Sequence, residues 1–461
     1  MNKPKKIKFR IRENISLISL LIIMIVVTWN HLNMRIWEDN NRVIAWDVID
    51  YYGYLPATFI YKDLTLRFTE ENYEYFRNKI WSRKLPDGNR VFKMTSGLSV
   101  MYFPFFISAH VIAKLTGIPA TGFSNPYRIA LLISSIAYLF IGFLALKYTL
   151  KRYFSDLIVA ITVLGLYFGT NLFYYTTIEA PMSHVYGFCL FALFILLTLK
   201  WYEHPTWKYS ILLGLASGLI VLVRPSNMVI VVFFIVYGTI FFMKNNFSIN
   251  HIFKIHGKHL IVIIVFAFLT WVPQLIYWKK ITGSFMYYSY NDEGFFFTDP
   301  KILKGLFSFR KGWLIYTPIM SFALAGIIIL YKRINSLFLP ILIFTIVNLY
   351  IIFSWWTWWY GGGFSQRPLI ESYALLAIPL AASIEKVISK GKAIRIPLIF
   401  VFILFFLLGI WNHIKYYYGS IHWDGMTKEA YFDHFFETKP RGNYWEQIER
   451  PDYEKAKEGQ R

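Results

Sequence analysis

Apolar runs of about 20 residues recur along the whole chain, and they constrain its fold more than any other feature. A helix of this length can cross the roughly 30 Å hydrocarbon core of a bilayer. Of the 461 residues, 56% are hydrophobic and only 16% are charged, against roughly 25% charged in soluble domains. A membrane β-barrel would show short alternating strands instead. The sequence therefore predicts an all-α polytopic membrane protein.

Eleven segments of the chain qualify as candidate membrane spans. They are 14–32, 127–147, 155–173, 184–200, 208–223, 226–243, 260–279, 313–331, 336–354, 370–387 and 396–412. The basic N-terminal sequence MNKPKKIKFRIR predicts a cytoplasmic start, because cytoplasmic loops carry the excess of Lys and Arg. With eleven spans every second loop is basic, which supports this count. No small-residue cleavage site follows, so we expect the first helix to be retained.

Segment 97–116 is also long enough to be a span, which would make twelve. In that case the basic loops would face outward, so we expect this segment to lie in or dip into the outer interface. Twelve spans stay the alternative. The resulting organisation is a membrane-embedded domain over 1–412, with a large first outer loop over 33–126 that carries interfacial helices and a second outer loop over 280–312. A short outward-facing tail follows over 413–461.

Charge and cysteine content indicate which partners and which cellular location to expect. The net charge is +21, which in a membrane protein indicates anchoring on anionic lipid rather than binding of nucleic acid. The single cysteine, Cys189, excludes an intrachain disulfide and a Cys-rich metal signature. Abundant Ile, Lys, Asn, Phe and Tyr suggest an AT-rich bacterial genome. We therefore expect a multi-pass protein of the bacterial cytoplasmic (inner) membrane, with its active site on the outer (periplasmic) face.

The first outer loop holds two acids, Asp47 and Asp50, three residues apart. In a helical turn this spacing places both side chains on one face. A carboxylate near the membrane surface suits a general base that deprotonates an acceptor hydroxyl. Two solvated acids, or a helix cap, are the alternative interpretation.

Other outward-facing segments carry ionisable residues close to the membrane. Glu179 and His184 stand at the start of a span, where such groups are functional candidates by default, although a helix-end hydrogen bond also explains His184. Their spacing of five is poor for two metal ligands on one helix, so we predict no metal site and leave a divalent metal requirement open. Arg224, Arg310 and Lys311 lie on the side that the positive-inside bias disfavours. Cations there suit a lipid phosphate, and ordinary headgroup contact is the alternative.

The segment SWWTWWYGGGFSQRP, residues 354–368, combines tryptophans, three glycines and one arginine. The tryptophans could form an interfacial aromatic belt, but a belt requires neither a glycine run nor an arginine. Aromatic rings stack on the C–H faces of sugars, and glycines let a backbone approach a ligand closely. Arg367 could bind a phosphate in a bidentate manner. This segment is therefore a candidate wall of a donor site.

Several function classes lack support in the sequence. It contains no Walker loop, no dinucleotide fingerprint and no HExxH motif, so a phosphate loop or a zincin helix is not indicated. Charged residues within the spans are scarce, which disfavours an ion-coupled transporter. A flippase for lipid-linked sugars and a non-catalytic envelope scaffold stay open as alternatives to an enzyme.

The order of these features resembles the GT-C membrane glycosyltransferases. A basic N-terminal helix and an outer loop with an early Asp are followed by GLSVMYFPFF, IEAPMSHVYGF and WWYGGGFSQR. The most similar subgroup is the bacterial enzymes akin to protein O-mannosyltransferases and the aminoarabinose transferase of lipid A, over most of residues 10–412. The resemblance implies a glycosyltransferase that takes a sugar from a polyprenyl-phosphate donor. The sugar would go to a hydroxyl of an envelope glycan, lipid or protein at the outer face, with inversion and without a nucleotide or other required cofactor.

The resemblance also implies roles for individual residues. The base of the first outer loop corresponds best to Asp47, which opens DVIDYYGYLPA, while Asp50 stands where relatives often have Gly. Both acids stay candidates. The late aromatic–Gly–Arg loop is implied to lie near the donor phosphate. The full prediction is Asp47 and Asp50 as catalytic residues, Arg367, Arg224, Arg310 and Lys311 as ligands of the donor phosphate, and Trp358, Tyr360, Gly361, Glu179, His184 and Tyr51 as contacts of the sugar or lipid.

Overall fold

The structure, a computed structural model, describes residues 14–86 and 88–461. About 67% of the chain is helical, with almost no sheet. Helices satisfy their own backbone hydrogen bonds, which a bilayer requires. The prediction of an all-α polytopic membrane protein is confirmed. The predicted cytoplasmic N-terminal sequence, MNKPKKIKFRIR, lies outside the described residues.

The α-helices are numbered in chain order. The first half of the chain contains α1 (Ile15–Met34), α2 (Asp47–Tyr52), α3 (Tyr54–Phe59), α4 (Phe68–Glu71), α5 (Tyr73–Phe76), α6 (Gly97–Leu115), α7 (Asn125–Leu150), α8 (Asp156–Phe168), α9 (Tyr174–Thr177), α10 (Ser183–Glu203) and α11 (Trp207–Val223). The second half contains α12 (Ile230–Lys244), α13 (Ile249–Thr282), α14 (Ile302–Phe307), α15 (Trp313–Tyr316), α16 (Met320–Arg333), α17 (Asn335–Ser354), α18 (Tyr373–Ile388), α19 (Lys392–Tyr418), α20 (Lys428–Asp433) and α21 (Tyr453–Lys457).

Smaller elements complete the described structure. Short 3₁₀ helices cover Ile36–Glu38, Pro225–Val229, Arg367–Leu369 and Tyr444–Gln447. In the first outer loop, β1 (Arg83–Lys84) pairs antiparallel with β2 (Arg90–Val91), and Arg83 lies opposite Val91. This hairpin holds the loop between α5 and α6.

Each of the eleven predicted spans overlaps a helix, namely α1, α7, α8, α10 to α13 and α16 to α19. Within the described residues, eight helical segments are long and apolar enough to cross a membrane, and α8 and α11 are apolar but shorter. The number of crossings stays a prediction. Helix α19 continues to Tyr418, so the predicted domain boundary at 412 falls inside a helix.

Helix α6 is the segment for which the sequence left two placements open. It begins beside the carboxyl end of α11, where Thr95 Oγ1 donates to a backbone carbonyl at 2.5 Å. Tyr138, in the middle of α7, donates to the Met101 carbonyl at 3.1 Å, and Tyr127, at the start of α7, bonds His110 Nδ1 at 2.5 Å. Helix α6 therefore runs antiparallel along the first half of α7. Because α6 is also one of the eight segments long and apolar enough to cross a membrane, the interfacial placement and the twelve-span alternative both stay predictions.

The centre of the bundle is formed by α7, α8, α10 and α18, in which most residues are buried. The most apolar part of α10 is 78% buried within the protein, whereas that of α19 is 6% buried. Small residues let the central helices approach closely. A Cβ at Gly326 of α16 would lie 1.9 Å from the Pro379 carbonyl oxygen of α18, so no larger residue fits there. This packed centre fixes the helix ends from which the candidate site is built.

Candidate active site

A cavity of about 470 Å³ lies where several helix ends and loops meet, a volume typical of ligand pockets of roughly 300–1,000 Å³. Its walls come from the start of α2, the start of α10, the end of α11, the loop after α13 and the loop after α17. It brings together seven of the twelve predicted site residues, which are Asp47, Tyr51, His184, Arg224, Tyr360, Gly361 and Arg367. These residues span more than 300 positions of sequence, so the fold alone makes them neighbours.

Asp47 is the first residue of α2 and follows a strained turn. Trp46 has φ 51° and ψ −135°, a conformation of type II′ turns that favours glycine. Such strain costs on the order of 1–3 kcal/mol and clusters at functional sites. The turn is closed by the backbone N–H of Val48, which donates to the Ala45 carbonyl at 3.1 Å. It leaves the Asp47 side chain 35% exposed at the cavity wall.

Arg367 forms an ion pair with Asp47 at the cavity wall. Its Nη2 lies 3.3 Å from Asp47 Oδ2, and its side chain is 19% exposed. Burial lowers the pKa of the Arg367 guanidinium, but the charge of Asp47 and the nearby Tyr175 and Glu179 raise it by more, so its pKa lies above the usual value. Arg367 is thus a permanent cation beside the more exposed of the two loop acids.

The glycine-rich loop before Arg367 is held from behind by buried polar groups. Gly363 has φ 141°, and a Cβ there would lie 2.6 Å from Tyr175 Oη. The Tyr175 hydroxyl accepts from the backbone N–H of Phe364 at 2.9 Å. Lys311 Nζ donates to the Gly363 carbonyl. Only glycine fits at this position, because the backbone passes so close to Tyr175.

Lys311 was predicted as a ligand of the donor phosphate, but the structure places it elsewhere. Its side chain is 2% exposed and is directed at the Gly363 carbonyl from outside the cavity. Burial lowers the pKa of Lys311 to about 7. Its contact supports the loop that carries Arg367, so Lys311 acts on the site through backbone position.

A second carboxylate, Glu371, lies behind the residues that line the cavity. It is 1% exposed, and its Oε1 accepts from Arg224 Nη1 at 3.2 Å and lies 3.1 Å from His184 Nδ1. Both Arg224 and His184 line the cavity. Glu371 was not among the predicted site residues, although an acid inside the predicted span 370–387 is the signal that could have identified it.

Asp50, the other predicted base, is buried beside the cavity. It is 6% exposed, and its Oδ1 has no hydrogen-bond partner among the described residues. Burial raises the pKa of Asp50 to about 7, and the charge of Asp47 raises it further, against the opposing charge of Lys93. The structure thus separates the two acids: Asp47 faces the cavity and Asp50 faces the protein interior.

Three further predicted residues lie outside the cavity lining. Glu179 is half-buried and accepts from the Tyr174 hydroxyl at 3.4 Å, and burial raises its pKa. Trp358 is 3% exposed and packs edge-on against Trp359. Arg310 donates to a backbone carbonyl of the C-terminal tail at 3.0 Å. The phosphate contact predicted for Arg310 therefore has no support in this arrangement, because Arg310 does not line the cavity.

The tail contributes a cavity residue that the sequence did not indicate. Tyr453 lines the cavity, and its hydroxyl donates to Asp424 Oδ2 at 3.0 Å. Its ring packs on Trp356 and Trp359 with centroid distances of 6.1 and 5.8 Å. No local periodicity marks this residue, because its position depends on how the tail folds back onto the loop after α17.

Among the described residues, no group of three or more His, Cys, Asp or Glu side chains could hold a metal ion. No family model matches the chain, and no curated protein matches it. Among solved structures, an oligosaccharyltransferase of Archaeoglobus fulgidus, in complex with Zn and sulfate, matches with 13% identity and a TM-score of 0.43. The match covers 95% of this chain and 59% of that chain. A likeness at this level leaves the activity of this chain to be argued from its own site.

Proposed function

We propose that this protein is a membrane glycosyltransferase that moves a sugar from a polyprenyl-phosphate donor to an acceptor hydroxyl at the outer face of the cytoplasmic membrane, with inversion. The observation that carries the proposal is the meeting of Asp47 and Arg367, 3.3 Å apart, in a cavity that Arg224 also lines. A carboxylate can take the acceptor proton. The two cations can stabilise the charge on the departing phosphate.

The proposed reaction is a single displacement at the anomeric carbon. The acceptor oxygen forms a bond to that carbon and gives its proton to the Asp47 carboxylate. The bond from the anomeric carbon to the phosphate oxygen breaks, and its electron pair leaves on the lipid phosphate. The sugar passes through an oxocarbenium-like state, as in glycoside hydrolysis. Attack from the face opposite the phosphate gives inversion.

Arg367 and Arg224 are proposed to stabilise the leaving group. Negative charge on the phosphate grows as the bond breaks, so fixed cations favour the transition state over the ground state. A guanidinium has five N–H donors, so Arg367 can keep its contact with Asp47 while it donates to a phosphate oxygen. Arg224 is held by Glu371 from below, which leaves its other N–H groups for a ligand.

The remaining walls suit a sugar attached to a lipid. Trp271, Trp278 and Met286 line the side of the cavity next to α13, and Met286 is 72% exposed. Such an apolar surface fits a polyprenyl chain. Tyr360 and Trp356 line the other side and offer rings on which a sugar can stack. Both kinds of residue line the same cavity as the cations, as a lipid-phosphate-sugar requires.

The convergence of a carboxylate and two cations disfavours a non-catalytic scaffold, for which no such arrangement is needed. Deletion of the gene, followed by mass spectrometry of envelope glycans, lipids and proteins, tests the proposal. We expect one sugar to disappear from one acceptor class while its lipid-linked donor accumulates. An unchanged set of envelope glycans, lipids and proteins would overturn the proposal. The same strain, given the wild-type gene in medium with and without chelator, reports any requirement for a divalent metal.

A further inference from the structure

A second concave surface lies on the first outer loop, apart from the cavity described above. It encloses about 230 Å³, and its lining includes Thr69, Tyr73, Arg77, Trp81, Ser82 and Arg90. We call it the loop pocket. It is smaller than the roughly 300 Å³ at which pockets for drug-sized ligands begin, and so suits a single small unit.

Aromatic rings at the loop pocket are exposed to an unusual degree. Tyr73 is 61% exposed and Trp81 is 38% exposed. Trp46 packs edge-on against Trp81, with ring centroids 6.3 Å apart, and is itself 71% exposed. Large aromatic side chains exposed together in one cluster mark an interaction surface. Their flat faces suit the C–H faces of a sugar ring.

The charged groups at the loop pocket are paired with one another. Arg90 Nε lies 3.1 Å from Glu70 Oε1, and Arg90 Nη1 donates to Ser82 Oγ at 3.4 Å. Arg77 Nη1 lies 3.2 Å from Glu74 Oε2. Both arginines of the lining are therefore paired with glutamates beside the pocket, and the hydroxyls of Thr69, Tyr73 and Ser82 add hydrogen-bond donors and acceptors to the lining. An anionic lipid headgroup would be matched by unpaired cations, whereas a neutral sugar hydroxyl both donates and accepts.

One aromatic residue beside the loop pocket adjoins, in the chain, a residue that lines the main cavity. Trp46, which packs on Trp81, directly precedes Asp47 in the chain. A chain of sugars with one unit at Trp81 could therefore extend along Trp46 toward the Asp47 carboxylate. The strained backbone of Trp46 orients both side chains of this connection.

We propose that the loop pocket is an acceptor subsite, which binds a neutral sugar unit of an acceptor glycan and directs its hydroxyl toward Asp47. This inference rests on the proposed function and narrows it, because it selects a carbohydrate among the glycan, lipid and protein acceptors. Trp81 and Trp46 supply stacking, and the Arg77–Glu74 and Arg90–Glu70 pairs supply hydrogen bonds.

Photo-crosslinking in living cells tests the subsite with the natural acceptor present. Tyr73→p-benzoylphenylalanine places the crosslinker at the pocket rim and conserves an aromatic ring. Phe436, which is 88% exposed on the tail, gives the matched control Phe436→p-benzoylphenylalanine. After irradiation and purification of the full chain, we expect a periodate-oxidisable carbohydrate adduct at position 73 and none at 436. The additional change Trp81→Ala should reduce the adduct at 73 severalfold.

The outcomes separate the subsite from the function on which it rests. Absence of a carbohydrate adduct at 73, a phospholipid or peptide adduct there, or equal labelling at 436 would overturn the subsite. A third variant, Met286→p-benzoylphenylalanine, reports on the main cavity and should label a polyprenyl-phosphate lipid. Lipid labelling at 286 without carbohydrate at 73 refutes the subsite alone. Carbohydrate labelling at 73 without lipid labelling at 286 supports the subsite and contradicts the proposed polyprenyl-phosphate donor.

Discussion

Two carboxylates with arginine partners lie at one cavity, and they differ mainly in burial. Asp47, beside Arg367, is 35% exposed, whereas Glu371, beside Arg224, is 1% exposed. An exposed carboxylate can meet a substrate, while a buried one can only hold its neighbours in place. The comparison assigns chemistry to the first group and support of Arg224 to the second.

Breaking the buried ion pair should cost more free energy of unfolding than breaking the exposed one. Breaking a partly exposed ion pair typically costs about 1 kcal/mol or less. Removing one partner of a buried ion pair costs about 3–5 kcal/mol, because a charge is left unpaired in the interior. The first group should therefore matter for turnover with little effect on stability, and the second for both.

Asp47→Asn gives the largest expected effect. Loss of a general base lowers turnover by about 10²–10⁴-fold, so the variant should fail to restore the missing glycan in the deletion strain. Its melting temperature in detergent should match wild type. Asp50→Asn is the matched control, since its side chain faces the interior, and it should restore the glycan. Full complementation by Asp47→Asn would place the base elsewhere.

Glu371→Gln should separate the two groups by stability. The charge of Arg224 then lacks its buried partner, and the free energy of unfolding should fall by about 3 kcal/mol. Thermal unfolding of purified protein measures this loss, with Asp47→Asn as the comparison. If both variants unfold at the same temperature, the assignment of a supporting role to the buried group is wrong.

Gly363→Ala tests whether the position of the glycine-rich loop, which carries Arg367, matters for use of the donor. Gly363 has a φ of 141°, and a Cβ there would lie 2.6 Å from Tyr175 Oη. An alanine would therefore be strained by about 1–3 kcal/mol. We expect the loop to be displaced and the donor to be used less well. Removing the hydroxyl in Tyr175→Phe should partly restore activity in the double variant. Gly391→Ala, with open space around its Cβ, should have no effect on donor use.

The smallest expected effect is a pH dependence of the protein's stability that comes from Asp50, the buried one of the two loop acids. The pKa of Asp50 is raised from 3.8 to about 7 in the folded protein, so the folded state holds this proton to higher pH than the unfolded state. The free energy of unfolding of the protein therefore falls as pH rises through 7, by roughly 1–2 kcal/mol between pH 5.5 and 8.5. Asp50→Asn should remove this fall when melting temperatures are compared at the two pH values. An unchanged slope would show that Asp50 is not the titrating group.

Length and hydropathy determined the helices well, because a bilayer requires about 20 apolar residues in each crossing. The charge pattern of the loops also predicted which distant residues face the same side, and Asp47, His184, Arg224 and Arg367 do share one cavity. Side-chain direction within loops could not be predicted. Lys311 and Arg310 adjoin in the chain, yet their contacts with the Gly363 loop and with the tail depend on tertiary packing. Glu371 was hidden by the apolar run around it, and Tyr453 by an aperiodic tail.

Turnover by the purified protein tests directly whether the protein transfers a sugar from a lipid-linked donor with Asp47 as the base. The wild-type chain and Asp47→Asn would be reconstituted in vesicles with lipid-linked sugars and acceptor extracted from the deletion strain, and release of polyprenyl phosphate would be followed by mass spectrometry. The account predicts that wild type releases polyprenyl phosphate together with a glycosylated acceptor of inverted anomeric configuration, and that Asp47→Asn releases neither. Release of lipid phosphate at the wild-type rate by Asp47→Asn, or none by wild type, would contradict it.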